Sequence, residues 1–462
     1  MWEYAQAYLF SLSLEHVLVE LVLLVLIVYL LVQPTRKQKH HALTPKEVED
    51  LLREWTPEPL APEISAAEKR RIDFFTIQSP PGSRMTVNGK EVISFITTDL
   101  HGFANRREVK DVSCEVVGNY GVGSCGPRGF YGTIDVHLKF EKQIAEFYGV
   151  EEAILYSSGY ALNSSVISCF IKREDILFCD KGLSLPFKEG AHLSRCILKW
   201  FDHNDMVSLE RCLQEAKAHV EKTKRLTRHF LVIEGLYGSR GDVAPLPQIL
   251  ELKKKYCFRI ILDETHALGA LGTRGHGTCE HFGIAATEID LITVQTSNVL
   301  GSVGGFCVGP HMSISHQRIN SPGYVFSASL PPYLASSAGK ALELLQQEPE
   351  RIAKLRTNIA TFRVTLTAAC PWTVLGDAHS PTVRITPPPP CTLQQQDIES
   401  TLLDIRDKAL SYGVAVSLTL ETDEPFPPPP SIVVFVTSEH TEEDIVVAAK
   451  ALARAIVETP LP

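Results

Sequence analysis

Short apolar runs bounded by turn residues alternate with amphipathic stretches from about residue 90 to 310, and that alternation limits the chain to a few folds. Residues 152–156, 175–179, 229–234, 259–263, 291–294 and 306–308 each read as a strand covered on both faces, because parallel strands between helices carry continuous hydrophobic runs. Stretches 206–221 and 247–255 have the spacing of covering helices. A mostly parallel α/β sheet is expected. From about residue 335 the pattern changes to one long helix, 334–347, then short strands and tetraproline runs at 387–390 and 427–430, which predicts a smaller C-terminal α+β domain. The proline runs read as rigid surface loops, with docking of a proline-binding module as the alternative. The expected division is 1–35, 36–90, 91–333 and 334–462.

A chain of 462 residues can bury a large interior. Its 45 basic and 54 acidic side chains, −9 overall, leave no cationic surplus for a nucleic acid backbone. Eleven cysteines stand singly, with no CxxC pair and no Cys/His cluster at zinc-ligand spacing, which points to a reduced cytosolic body without a metal site.

The N-terminus departs from this average. Residues 21–32 are twelve consecutive apolar residues, and 17–32 is interrupted only by Glu20. Sixteen helical residues reach about 24 Å against a hydrocarbon thickness of about 30 Å, so a crossing must recruit the weaker turn from Leu9 onward. Arg36, Lys37 and Lys39 follow the run and no Lys or Arg precedes it, which argues against a signal peptide and places the body in the cytosol. A single membrane anchor within 1–35, its apolar part 9–32, is expected; an in-plane helix and a buried core helix are the alternatives. Thr44-Pro45-Lys46-Glu47 then reads as a capping box opening a helix to about Trp55, with Val48, Leu51, Leu52 and Trp55 on one face. The proline-rich 55–62 ends it, as a plain linker or a docking segment.

Three strand-to-turn segments carry the candidate chemistry. Ser157-Ser158-Gly159-Tyr160 follows a strand and opens a helix, an arrangement that aims backbone N–H groups at an anion, although packing at such turns also demands small residues. Ile261-Leu262-Asp263-Glu264-Thr265-His266 places a carboxylate and an imidazole at a strand C-terminus, where open α/β sheets bind ligands. Asp263 suits a protonated ring nitrogen such as that of pyridoxal phosphate (PLP), or else caps the next helix. Gln295-Thr296-Ser297-Asn298-Val299-Leu300-Gly301 follows another strand.

With Tyr120-Gly121-Val122-Gly123, Gly126-Pro127-Arg128-Gly129-Phe130-Tyr131-Gly132-Thr133, Phe326-Ser327-Ala328-Ser329-Leu330-Pro331-Pro332 and His440-Thr441-Glu442-Glu443-Asp444, these motifs resemble, in order and spacing, the α-oxoamine synthases. Those are fold-type I PLP enzymes that condense an amino acid with an acyl-CoA. The likeness covers about residues 60 to 455. Through Glu54-Trp55-Thr56-Pro57-Glu58-Pro59-Leu60 and His203-Asn204-Asp205-Met206 it is strongest to the long-chain-base subunit in the serine palmitoyltransferase branch.

The resemblance implies a lysine, three residues before Gly301, that bonds the cofactor. This chain has Asn298, whose amide is no nucleophile. The family's phosphate-binding threonine aligns with Gln295, its ring-stacking histidine, four residues after Asp180, with Ser184, and its substrate-carboxylate arginine with Val433. No lysine lies between Lys255 and Lys340 to take over. No catalytic residue is therefore expected in this chain. Ser158, Gly159, Tyr160, Asp263, His266, Ser327 and Ser329 are expected as vestigial cofactor contacts or contacts made in trans; the 126–133 loop and Ser327 and Ser329 are the candidates to act in trans, the two serines on a partner's PLP phosphate. The resemblance further implies a heterodimer with a PLP-bearing catalytic subunit that condenses L-serine with palmitoyl-CoA in sphingolipid biosynthesis. It implies an endoplasmic reticulum membrane setting, and leaves small regulatory subunits open. A self-sufficient PLP acyltransferase using a distant lysine, and a non-enzymatic membrane scaffold, are the competing readings.

Overall fold

The structure, a computed structural model, describes residues 14–32, 43–61, 63–72, 75–389 and 394–461. It divides into two compact units, one ending at Glu68 and the other beginning at Lys69.

In the first unit, Leu14–Val32 is one helix, apolar all round apart from Glu15, His16 and Glu20, with Leu18 to Leu31 exposed. Among the described residues no helix is long and apolar enough to cross a membrane, so the spanning anchor expected over 9–32 is not found. Nineteen residues reach about 28 Å, just short of a typical hydrocarbon layer. The upstream turn recruited in the sequence reading, 9–13, and the basic cluster at 36–39 lie outside the described residues. The second helix, Pro45–Glu54, begins as the sequence dictates: Thr44 accepts from the Glu47 N–H while Glu47 accepts from the Thr44 N–H at 2.8 Å, and proline occupies the first turn. Val48, Leu51, Leu52 and Trp55 are exposed.

The second unit opens with a hairpin, β1 (Arg84–Val87) and β2 (Lys90–Ser94), which spans residue 90 and pairs in parallel with β12 (Val414–Ala415). Residues 84–94 thus belong structurally with the C-terminal strands. The main sheet comprises β3 (Glu152–Tyr156), β4 (Ile176–Asp180), β5 (Ile197–Phe201), β6 (His229–Glu234), β7 (Arg259–Asp263), β8 (Leu291–Gln295) and β9 (Gly305–Gly309), in the order β3-β9-β8-β7-β6-β4-β5. Strands β5, β4, β6, β7 and β8 run parallel and β9 runs against both neighbours, so the sheet is mixed, with a parallel majority as expected. Six of the seven strands were legible as apolar runs. Strand β5 was not, because it lies at the edge, is mostly half-buried and interrupts its run with Lys199.

A four-stranded antiparallel sheet follows, β10 (Thr373–Leu375), β11 (Thr382–Thr386), β13 (Ser417–Thr419) and β14 (Ser431–Phe435), ordered β10-β11-β14-β13. The expected long helix is Pro332–Gln347, which stops before Pro349 and is followed by a second, Glu350–Ala369. Phe95 joins the layers. It is fully buried, its N–H donates to Ala415, its carbonyl accepts from Phe435, and its ring stacks on His440 at 4.4 Å. The His440-Thr441-Glu442-Glu443-Asp444 motif accordingly builds structure: His440 ties Thr437 to the Ser94 carbonyl, and Thr441 and Asp444 form a capping box.

Phe95→Ala is expected to cost about 3–5 kcal/mol of stability, since removing a buried ring leaves a cavity between two sheets. Urea unfolding of the full chain measures it, and a loss under 1 kcal/mol would contradict this packing.

Candidate functional site

The parallel strands and β3 end along one edge of the sheet, and that edge collects Tyr156, Asp180, Glu234, Asp263 and Gln295. Glu234 and Asp263 are register neighbours, and Asp263 in turn faces Thr293. Both carboxylates are buried, as is Glu264. Burial pushes the Glu234 and Asp263 carboxyls above their ordinary values, repulsion from Asp263 adds to the rise at Glu234, and burial pushes Glu264 up to about 8.

Asp263 is the best satisfied of the three. It accepts from Asn163 Nδ2 at 3.0 Å, Thr293 Oγ1 at 2.9 Å and the Thr265 N–H at 2.9 Å. A carboxylate offers about four acceptor sites, so these three donors hold Asp263 firmly in place within the chain. Asn163 and Thr293 carried no signal in the sequence, because they lie on other elements and meet Asp263 only in the fold.

His266 and Asn298 are in contact, the Asn298 amide donating to His266 Nδ1 at 3.1 Å. Burial holds the imidazole down to about 4, so it is neutral and can accept that bond. The position of the missing amine is therefore filled by an amide locked onto a histidine.

Ser158, Gly159 and Tyr160 stand where expected, at the start of the helix Gly159–Phe170, with Ser158 Oγ accepting from the Ala161 N–H at 3.3 Å. The Gln295 side chain lies over this turn. A Cβ added at Gly159 would come within 2.7 Å of Gln295 Cγ and Oε1, which shows how closely the amide covers the backbone there. Tyr156 and Gln295 both face Gly305, and this pairing brings the two turns together. Ser184 heads the helix Leu185–Ser194 without a side-chain cap, and its N–H donates to Glu234 at 2.6 Å. Val433 is buried in β14.

The 126–133 loop is anchored by a buried ion pair. Arg128 grips Glu141 bidentately at 2.8 and 3.0 Å, and both side chains are less than one-tenth exposed. Arg128 also donates to Thr133. Ser329 closes the loop from the other side, its hydroxyl donating to the Gly126 and Gly132 carbonyls at 2.8 and 2.6 Å. The Ser329 proton is thus engaged within this chain. Ser327 is likewise occupied, donating to the Gly323 carbonyl at 2.6 Å and touching Ser157 Oγ at 3.3 Å. What the loop presents outward is Phe130, 71% exposed, and Tyr131, 91% exposed.

His203-Asn204-Asp205-Met206 serves the fold. His203 bridges Asp180 at 2.7 Å and Asp242 at 3.2 Å, and Asp205 caps the helix Met206–Thr223. The ten described cysteines are all free, and no His/Cys/Asp/Glu cluster among the described residues could hold a metal ion.

These features coincide with a family. The model for aminotransferase class I and II matches residues 91–401. Long chain base biosynthesis protein 1c of Oryza sativa subsp. japonica is 39% identical over 452 residues, spanning 97% of this chain and 93% of its own length. Serine palmitoyltransferase 1 of Dictyostelium discoideum is 40% identical over 429 residues, spanning 91% and 89%. The chain belongs to the serine palmitoyltransferase 1 family. Among solved structures, Sphingomonas wittichii serine palmitoyltransferase superposes with a TM-score of 0.73 at 25% identity, covering 90% of this chain and 97% of that one. An 8-amino-7-oxononanoate synthase from Francisella tularensis shares the fold at TM-score 0.63 and 21% identity. The expected fold-type I PLP-transferase architecture is thus present.

His203 gives a test by pH. Burial alone would lower its pKa, but Asp180 and Asp242 outweigh it and raise the imidazole to about 9. A group held above its unfolded value of about 6.5 contributes fully below that pH and loses its contribution as pH rises through about 9. Stability is expected to decline between pH 6.5 and 9, and His203→Gln to flatten that decline in urea titrations.

Proposed function

We propose that this chain is the non-catalytic subunit of a serine palmitoyltransferase, pairing with a PLP-bearing subunit that condenses L-serine with palmitoyl-CoA, releasing CoA and CO2, to give 3-ketodihydrosphingosine. The observation that carries the reading is that a member of this family has no amine in its own site: Asn298 is hydrogen-bonded to His266. The surrounding residues do not fit PLP. Gln295 covers the turn a phosphate would need, and Ser184 offers no ring to stack on the pyridine. No chemical step is assigned to this chain.

Its contribution is to complete the partner's site. The 126–133 loop is fixed at its base by Arg128–Glu141 and Ser329 and carries two exposed aromatic side chains, a rigid projection suited to enclosing a neighbour's substrate and excluding water. We also assign the exposed apolar helix Leu14–Val32 to a bilayer of the endoplasmic reticulum, with the body on the cytosolic side, on the strength of its uninterrupted apolar surface from Leu21 to Leu31.

Assays of serine and palmitoyl-CoA turnover with each subunit alone and together test the main proposal. Activity is expected only in the mixture, and the chain alone should gain no visible cofactor absorption on adding PLP; activity or such a band from the chain alone overturns it. Phe130→Ala with Tyr131→Ala is expected to lower the mixture's kcat/KM roughly tenfold or more, with the complex intact by size exclusion. For the membrane, the full chain is expected to float with phospholipid vesicles and a chain lacking residues 14–32 to remain behind; equal flotation of both removes the assignment.

A further inference from the structure

The candidate site occupies the carboxyl edge of the main sheet, and a separate groove lies at the opposite edge, where strands β6, β7 and β8 begin. Strands of five or six residues put the two edges about 16–20 Å apart. The groove has a volume of about 330 Å³, and its apolar lining is Phe170, Phe230, Ile261, Leu291 and Met312. Phe230, Ile261 and Leu291 are buried, whereas Met312, on the helix His311–Asn320, is 78% exposed. His316, one turn further along that helix, stacks on Phe170 at 5.2 Å. The Asn320 amide donates to His316 Nδ1 at 3.2 Å, which places the imidazole proton on Nε2.

The charges at the rim do not balance. Arg228 is paired with Asp175, donating from Nε at 3.1 Å and from Nη2 at 2.6 Å, and its guanidinium lies 5.6 Å from the centre of the Phe230 ring. Asp290 is held on Oδ2 by Lys253 at 2.7 Å and by the Ile260 N–H at 2.9 Å. Arg259 stands 3.8 Å from Asp290 Oδ1, and among the described residues its guanidinium makes no hydrogen bond. Three cations thus face two carboxylates, and Arg259, its side chain 63% exposed, is the one left with open donors. An apolar surface bordered by one uncommitted guanidinium suits an amphiphile: covering the surface is favourable, and the planar fork matches a carboxylate bidentately.

We propose that this groove binds a monocarboxylate with an apolar tail, of the kind of a short or medium-length fatty acid. The carboxylate pairs with Arg259, and the tail covers Phe230, Ile261 and Leu291 between Phe170 and Met312. One residual positive charge selects a monoanion, whereas a phosphate monoester brings close to two negative charges and would be repelled by Asp290. At roughly 30 Å³ per water, the volume corresponds to about eleven water-sized groups, which suits octanoate and is too small for a whole acyl-CoA. The proposal needs neither a partner subunit nor turnover, and its failure leaves the proposed function untouched.

Isothermal titration of the full-length chain with octanoate, below its micelle-forming concentration, tests this beside acetate, which lacks the tail, and octylammonium, which reverses the charge. One saturable site is expected for octanoate, with the other two probes weaker by roughly tenfold or more. Arg259→Gln is expected to weaken octanoate roughly tenfold, as loss of a charge-assisted contact does, and Met312→Glu to weaken it by setting a negative charge against the bound anion. Both positions are exposed, and both variants keep the helix Leu14–Val32, so uptake of octanoate by that apolar surface would persist in them unchanged. Circular dichroism checks each fold, and Met312→Glu decides if Arg259→Gln does not fold. No saturable heat with octanoate, equal binding of octylammonium, or undiminished binding in the deciding variant overturns the proposal.

Discussion

Asp263 sits at the dry carboxyl edge of a sheet covered on both faces, with Glu234 beside it in register and Glu264 next in the chain. Three buried carboxylates so close cannot all be charged without donors, and the site is organised by how they are satisfied. Asn163, Thr293 and Thr265 serve Asp263; Thr278 serves Glu264 through its N–H and hydroxyl; the Ser184 and Gly238 amides serve Glu234. These bonds pin the helix Gly159–Phe170, strand β8 and the turn at Ser184 to one edge. These donors hold the carboxyl edge of the PLP-transferase frame rigid.

The same logic reaches the surface that the proposed function needs. Arg128 and Glu141 form a buried pair whose carboxylate also accepts the Leu155 N–H of β3, so the loop base is continuous with the main sheet. Breaking one partner of such a pair typically costs about 3–5 kcal/mol, because the other charge is left buried alone. That rigidity lets Phe130 and Tyr131 be exposed without being loose. Ser329 adds to this anchoring from the other side of the loop.

Much of the fold was legible because its strands are dry on both faces and therefore read as unbroken apolar runs. The exceptions are instructive. Strand β5 lies at an edge and carries Lys199, and β1 and β2 are short strands that find their third partner, β12, more than 300 residues away. The candidate site was legible in its losses: Asn298, Gln295 and Ser184 each state by residue type what chemistry is gone. What replaced that chemistry was not, since the amide on His266 and the cover over Gly159 both join residues distant in sequence.

By itself, the sequence determined the mostly parallel α/β frame, the absent amine and the apolar N-terminal helix, because periodicity and residue type act locally. Only the tertiary structure decided how Asp263 is satisfied, that Ser327 and Ser329 are engaged inside the chain, and that Arg384 lies buried opposite Val433 on neutral acceptors. Hydrogen-bond satisfaction and charge balance in a dry interior depend on which groups come within about 3 Å, and chain order does not encode that distance.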